Sequence, residues 1–309
     1  MKFYFAPLEG ITGYIYRNAY HECFGKQISK YFSPFIIANQ SDKFKSKEIN
    51  DVLPENNKGL CLVPQLLTNQ AQDFIYTTNK LKSLGYEEVN LNLGCPSGTV
   101  VAKNKGSGFL AKQEQLDQFL AEIFADAAVK ISVKTRIGKD APEEFYELIE
   151  IFNKYPISEL IIHPRIQKDF YNNKPNLKIF TEAVSLSKNK VVYNGDIVSV
   201  ESYKEFTQAF PAVDTVMIGR GFIANPGLLS EIQEEKKVGK DLLIKFHNMV
   251  YQDYIKVMHG DRNVLFKMKE IWFYLLPMFT DTASYGKKIR KTERLYDYDK
   301  VIDSLFMES

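Results

Sequence analysis

The sequence predicts an α/β fold, a (β/α)8 TIM barrel followed by a small all-helical C-terminal domain. Three observations predict it. Short apolar, β-branched runs alternate with amphipathic stretches over the first three quarters of the chain. Eight such runs within about 230 residues match the length of an eight-stranded barrel. From about residue 236 the strand signal stops and only helical periodicity continues.

The expected strands are Phe3–Leu8, Tyr31–Ile37, Cys61–Leu67, Val89–Gly94, Ile131–Arg136, Leu160–His163, Val191–Asn194 and Val216–Gly219. Most are continuously apolar, as strands covered on both faces must be. Pro34 makes the second the least regular, because proline donates no ladder hydrogen bond. Helical spacing fills the intervals Gln70–Leu84, Gln115–Phe124, Glu143–Phe152 and Ser199–Phe210. An open doubly wound sheet is the competing architecture. It would place a Gly-x-Gly-x-x-Gly turn after the first strand, where this chain reads Pro7-Leu8-Glu9-Gly10. The tail shows helical patterns at Leu242–Met258 and Val264–Leu276, and a basic run, 287–291, opening a last helix near Thr292–Phe306. The expected division is a catalytic barrel over 1–235 and a helical domain over 236–309.

Composition narrows the function classes. At 309 residues and a formal net charge of +2, the chain has no strong global field for an acidic partner. The charge is uneven, however: residues 236–309 carry 14 Lys/Arg against 10 Asp/Glu. A basic tail on a near-neutral body suits a polyanion, and equally a solvated helical surface. Cys23, Cys61 and Cys95 form no Cys-x-x-Cys pair, which points to a reducing compartment. The four histidines show no metal spacing. The apolar run at the start is too short for a signal segment or a membrane span. A cytoplasmic chain without metal or membrane partner, monomeric, is expected.

In a barrel the chemistry sits at the C-terminal ends of the strands. Here seven of the eight ends carry polar or special residues: 6–10, Pro64-Gln65, 90–96, 134–136, His163-Pro164-Arg165, Asn194-Gly195-Asp196 and Gly219-Arg220-Gly221. Glycine turns after strands seven and eight commonly build a phosphate site in this fold, and Arg220 adds a planar cation. Each turn alone also reads as an ordinary strand–helix connection. A phosphate site without an adenine or pyrophosphate fingerprint suits FMN. Lys134 is then placed to stabilise charge on the reduced ring, and Gln65 to hydrogen-bond its pyrimidine edge; a structural ion pair and a turn cap are the simpler alternatives. Cys95 follows a buried strand and Gly94 and precedes Pro96, so its thiol is held rigidly where it can deliver a proton. Cys61 and Cys23 fit inert packing.

These stretches resemble the dihydrouridine synthases, FMN enzymes that reduce uridine in tRNA. The resemblance is carried by Ala-Pro-Leu-Glu-Gly at 6–10, Asn-Leu-Asn-Leu-Gly-Cys-Pro at 90–96, Gly106 and Gly108 with Phe109-Leu110, and Val-Lys-Thr-Arg-Ile-Gly at 133–138. His163 with Arg165, Asn-Gly-Asp at 194–196 and Ile-Gly-Arg-Gly at 218–221 complete it. It implies that Cys95 gives a proton to uracil C5 while reduced flavin gives hydride to C6, with NADPH as reductant. It places Pro7, Leu8 and Glu9 in a flavin-contacting loop and Gln65, Lys134 and His163 on the ring or ribityl side. Asn194, Gly195, Asp196, Gly219 and Arg220 fall on the phosphate side, and Asn92 and Arg136 near the uridine. The basic tail becomes an RNA clamp, with Lys287, Lys288, Arg290, Lys291 and Arg294 as phosphate contacts. Leu8 stands where the family more often has Met. Pro164 replaces a small residue, and Ser33-Pro34-Phe35 stands where many members place an acid near the proline.

Three other functions compete. A small-molecule FMN enzyme of dihydropyrimidine or dihydroorotate dehydrogenase type shares the barrel and thiol, but has no use for residues 236–309. A dihydrouridine synthase acting on rRNA shares everything but the substrate. A catalytically silent RNA-binding barrel would have no need to keep Cys95, Lys134 and Arg220.

Overall fold

In the computed structural model, which describes residues 1–41 and 44–308, the apolar runs form ten parallel strand segments. They are β1 (Lys2–Phe5), β2 (Ile28–Phe32), β3 (Ile36–Ile37), β4 (Leu62–Val63), β5 (Gln65–Leu67), β6 (Glu88–Leu93), β7 (Lys130–Gly138), β8 (Leu160–Ile166), β9 (Val191–Tyr193) and β10 (Thr215–Ile218). Their order is β3-β5-β6-β7-β8-β9-β10-β1-β2-β4. Two of the eight expected strands are each split by a proline, Pro34 between β2 and β3 and Pro64 between β4 and β5. Neither proline has an N–H for the ladder. The halves stay in step, because β2 pairs with β4 and β3 with β5. The Ser33 amide still reaches the Val63 carbonyl at 3.2 Å. The ring therefore closes as an eight-stranded barrel.

Side-chain alternation sorts the strands into two environments. Val89, Leu91, Leu93, Ile131 and Val133 join the large outer core under the helices. Tyr4, Phe32, Val63, Ile161, Val192 and Met217 form a separate apolar cluster, drawn from β1, β2, β4, β8, β9 and β10, that fills the barrel. Below it Lys30 bridges Glu88 at 2.6 Å and Glu159 at 2.9 Å, and the Tyr4 hydroxyl donates to Glu159 at 2.6 Å. The outer helices follow the periodicity. Gln113–Ala125 buries Leu116, Phe119, Leu120 and Ile123, one stripe. Asn176 and Ser199 cap Leu177–Leu186 and Val200–Ala209 by accepting from the third backbone amide of each helix.

Beyond Leu228–Glu234, Glu235 turns the chain in a left-handed conformation (φ 55°). Four helices follow: Lys240–Val257, Asp261–Leu275, Thr282–Lys291 and Leu295–Glu308. The first packs on the barrel helix Tyr14–Phe24, with Phe246 edge-on to Tyr16 at 5.3 Å and to Phe24 at 5.5 Å. One hydrophobic core thus runs from barrel to tail. The basic run departs from expectation. It closes Thr282–Lys291 instead of opening the last helix, because the backbone turns extended at Thr292, whose hydroxyl donates back to the Ile289 carbonyl at 2.8 Å. Cations at a helix C-terminus also complement its dipole. Among the described residues no helix is long and apolar enough to cross a membrane.

Candidate active site

The C-terminal mouth of the barrel holds a cleft of about 490 Å³. It is lined by Pro7, Leu8, Glu9, Gln65, Asn92, Cys95, Lys134, Arg136, His163 and Arg220. A recess of about 60 Å³ adjoins it, lined by Asn194, Gly195, Asp196 and Gly219 and sharing Pro7, Leu8, Lys134, His163 and Arg220. Strand register brings these together. Asn92 lies opposite Lys134 across β6–β7, and Arg136 opposite His163 across β7–β8. Lys287, Lys288, Arg290, Lys291 and Arg294 line neither cavity; all five are exposed at the end of Thr282–Lys291 and just after it. Arg294 pairs with Asp297 at 2.9 Å.

The Cys95 loop is braced from both sides. Asn92 Oδ1 accepts from the amides of Gly94 at 3.0 Å and Cys95 at 2.9 Å, while its Nδ2 donates to Gln65 Oε1 at 2.7 Å. Gln65 Nε2 donates to Asn90 Oδ1 at 2.8 Å, and Asn90 to Ser132 at 3.0 Å. This amide chain orients Gln65 and leaves it one N–H. The Cys95 carbonyl accepts from the backbone and hydroxyl of Ser107. Gly106 permits that approach: at φ +55°, a Cβ there would meet the Cys95 carbonyl at 2.8 Å. Burial pushes the Cys95 thiol upward, so it keeps its proton at neutral pH.

Arg136 spends three donors on backbone carbonyls: Gly94 at 3.0 Å, Ile166 at 2.8 Å and Phe170 at 2.8 Å. It ties the cysteine loop to the loop after β8, so most of its donors are already committed. Asn92 is committed in the same way. Both residues also line the cleft, so these bonds hold them beside it.

The recess is built on charge. Asp196 accepts from both Arg165 and Arg220, at 2.5 Å for the latter. Its carboxylate therefore faces two guanidiniums, of which Arg220 lines the recess. The Asn194 amide donates to the Met217 carbonyl at 2.8 Å, joining β9 to β10. At Gly195 the space of a side chain is filled by the Tyr193 ring, and at Gly219 by Leu8 and Ala6.

Arg165 NH1 donates to His163 Nε2 at 2.9 Å. Arginine only donates, so Nε2 is an acceptor and the ring proton sits on Nδ1. Burial, then Lys134, Arg136, Arg165 and Arg220, holds the His163 pKa well below its ordinary value. Among the described residues Lys134 forms no ion pair, and burial followed by Arg136 lowers it to about 7. An amine kept on a buried strand without a carboxylate is costly unless something else meets it.

Sequence reasoning missed four aromatics at the rim. Tyr171 stacks under Arg220 at 4.4 Å and parallel to His163 at 5.9 Å; Phe170 adjoins it. Both stand in an aperiodic loop, where no pattern signals position. Phe273 and Tyr274 come from Asp261–Leu275. Phe273 carried a signal, since it falls outside the apolar stripe of its helix.

Comparison with known proteins agrees with this arrangement. Residues 4–299 match the family model for dihydrouridine synthase (Dus). A probable tRNA-dihydrouridine synthase of Staphylococcus aureus (strain COL) is 25% identical over 265 residues, covering 82% of this chain and 78% of its own. A probable tRNA-dihydrouridine synthase 2 of Bacillus subtilis (strain 168) is 23% identical over 262 residues, covering 82% and 79%. Among solved structures, a variant of NCR from Zymomonas mobilis superposes with a TM-score of 0.54 at 14% identity, over 79% of this chain and 90% of that one. An N189A mutant of morphinone reductase gives 0.53 at 13%, over 78% and 89%. At such identity these two bear on the fold. With the barrel, the braced cysteine and a family match over nearly the whole length, the chain belongs to the dihydrouridine synthase family of oxidoreductases.

Proposed function

We propose that the protein reduces specific uridines in tRNA to 5,6-dihydrouridine, with FMN in the cleft and NADPH as reductant. The observation that carries this reading is the cleft itself, where a protonated, braced Cys95 and an uncompensated Lys134 amine share one cavity with an arginine-lined recess. These residues fit a flavin mononucleotide. Arg220, held by Asp196, meets the phosphate. Lys134 meets the electron-rich pyrimidine edge of the ring. The remaining Gln65 N–H and the His163 Nδ1 proton are the neutral donors, and Pro7, Leu8 and Glu9 form the adjoining wall. When bound, the flavin supplies the hydride that uracil receives at C6.

Cys95 then gives its Sγ proton to C5 of the same base, so that the C5=C6 double bond becomes a single bond carrying two new C–H bonds, and water returns a proton to the thiolate. Asn92 and Arg136 hold the loop that fixes the thiol. The uracil must leave its stack to reach the cleft, which favours a flexible RNA segment. The barrel over 1–235 does the chemistry, and the helical part over 236–309 holds the RNA, with Lys287, Lys288, Arg290, Lys291 and Arg294 against phosphates. The protein works in the cytoplasm as a monomer without a metal.

Cys95→Ala tests the reading. It should bind FMN as the wild type does and be reduced by NADPH at an unchanged rate, yet lose at least 100-fold in dihydrouridine formation, the lower bound for a positioned acid of about 10²–10⁴. Turnover on unmodified tRNA equal to wild type would exclude Cys95 as the acid.

A further inference from the structure

Helix Asp261–Leu275 buries Val264, Leu265, Met268, Ile271, Trp272 and Leu275. Two large aromatics stand off that face: Phe266 is 60% and Phe273 76% exposed. Seven residues apart, they lie on one side of the helix, about 10 Å apart along its axis. Phe273 also lines the cleft that holds Cys95, next to Tyr274, whose ring it meets edge-on at 5.2 Å. The Phe266 end is anchored to the barrel mouth. Lys267 Nζ, 5.5 Å from the Phe266 ring centroid, donates to the Gly10 carbonyl at 2.8 Å, in the loop after β1. Arg262, one turn before Phe266, is exposed as well.

A phenyl ring left in water forgoes about 2 kcal/mol of burial. A protein partner would recover this best on a contiguous apolar patch. Here the rings are spaced along the helix and Tyr274 continues them into the cleft, with Lys267 tied to Glu270 at 2.9 Å and the exposed Arg262 one turn before Phe266. Spaced rings running into a cleft suit single-stranded nucleic acid, because every base offers a π-face. Drawing one base into the cleft also strips its neighbours of a stacking partner, and Phe273 stands in the wall of that cleft.

We propose that Phe273 and Phe266 form a stacking track for the unpaired nucleotides flanking the uridine in the cleft, with Phe273 taking the adjacent base. The proposal rests on the RNA-modifying reading above. It is tested by fluorescence anisotropy with an unmodified tRNA transcript and the full chain, wild type against Phe273→Ala, Phe273→Leu and Phe273→Trp. Loss of one stacked base should weaken binding about 5- to 150-fold in the Ala and Leu variants. Trp should bind as wild type. Phe266→Ala should weaken binding in the same sense. Two results overturn the track while leaving the proposed function intact: Ala binding as tightly as Phe, or Leu matching Phe, which would make the contact apolar without stacking. Concentration-dependent self-association abolished by Phe273→Ala, with RNA affinity unchanged, would assign the stripe to a second copy and also overturn it. A wild-type chain that binds no tRNA would sink the proposed function and the track together.

Discussion

Lys134 stands on β7 with its amine toward the cleft and no carboxylate beside it, and burial brings it to about 7. In the free chain the amine therefore loses its charge near neutrality. An electron-rich group placed beside it favours the ammonium, raises that value, and so takes up a proton on binding. The sign follows: FMN affinity is greatest below pH 7 and falls as pH rises above it, by up to about tenfold per unit, until the bound-state value is passed. Titration of flavin fluorescence between pH 6 and 9 checks this. Lys134→Met should bind more weakly at pH 6 and lose the slope. Cys95 is pushed the other way, upward, by burial, which keeps the thiol a proton donor across the same range. That Cys95 and Lys134 belong to one site was legible in the sequence, because both fall toward the C-terminal ends of expected strands. That Arg136 braces the loop was not, since its bond to the Gly94 carbonyl from another strand leaves no sequence pattern.

At the scale of elements, the helices of the tail are joined by a buried polar cluster. Trp272 Nε1 donates to the Tyr298 hydroxyl at 2.6 Å. That hydroxyl has one proton, which goes to His247 Nε2 at 2.7 Å, and His247 Nδ1 donates to Asn248 at 2.9 Å. His247 must then be neutral, and burial holds its pKa down to about 4. The unfolded chain binds a proton at the ordinary histidine value of 6.5. Between 6.5 and about 4 the unfolded state thus carries more protons, and stability is lost as pH falls through that window. The full loss is on the order of 3 kcal/mol. Urea denaturation at pH 7 and pH 4.5 measures it. A His247→Gln variant, less stable at pH 7, should show a smaller difference between the two. The strand breaks belong to this scale too. Pro34 flagged the second strand in advance. Pro64 does the same work in the third, where the sequence marked Pro64-Gln65 as a strand end and not as a break.

Over the whole molecule, charge is segregated: the cleft gathers buried cations, and the end of Thr282–Lys291 gathers exposed ones. Exposed lysines contribute little to folding and much to a polyanion complex. Replacing Lys287, Lys288, Arg290 and Lys291 with Gln should leave stability within about 0.5 kcal/mol per site. It should flatten the plot of log affinity for tRNA against log salt by about 0.7 to 0.9 per lost phosphate contact. A slope equal to wild type would remove the basic helix end from the interface. The continuous core between Tyr14–Phe24 and Lys240–Val257 predicts that the helical tail moves with the barrel as one body.

The sequence by itself determined the barrel, because strand and helix periods are local and alternate at a length only this closure satisfies. It determined the helical tail and placed every barrel candidate at the mouth, since strand ends can be counted along the chain. Only the tertiary structure decided how those residues are used. Asp196 faces guanidiniums, Arg136 and Asn92 brace the cysteine loop, Arg165 fixes the His163 tautomer, and Phe273 reaches the rim from a helix some 180 positions after Cys95. The physical reason is that hydrogen-bond partners and cavity walls are set by closure of the ring and docking of the tail. The Arg136, Asp196 and Phe273 contacts join residues far apart in the chain, and the short-range bonds of Asn92 and Arg165 depend on a side-chain direction that no local period records.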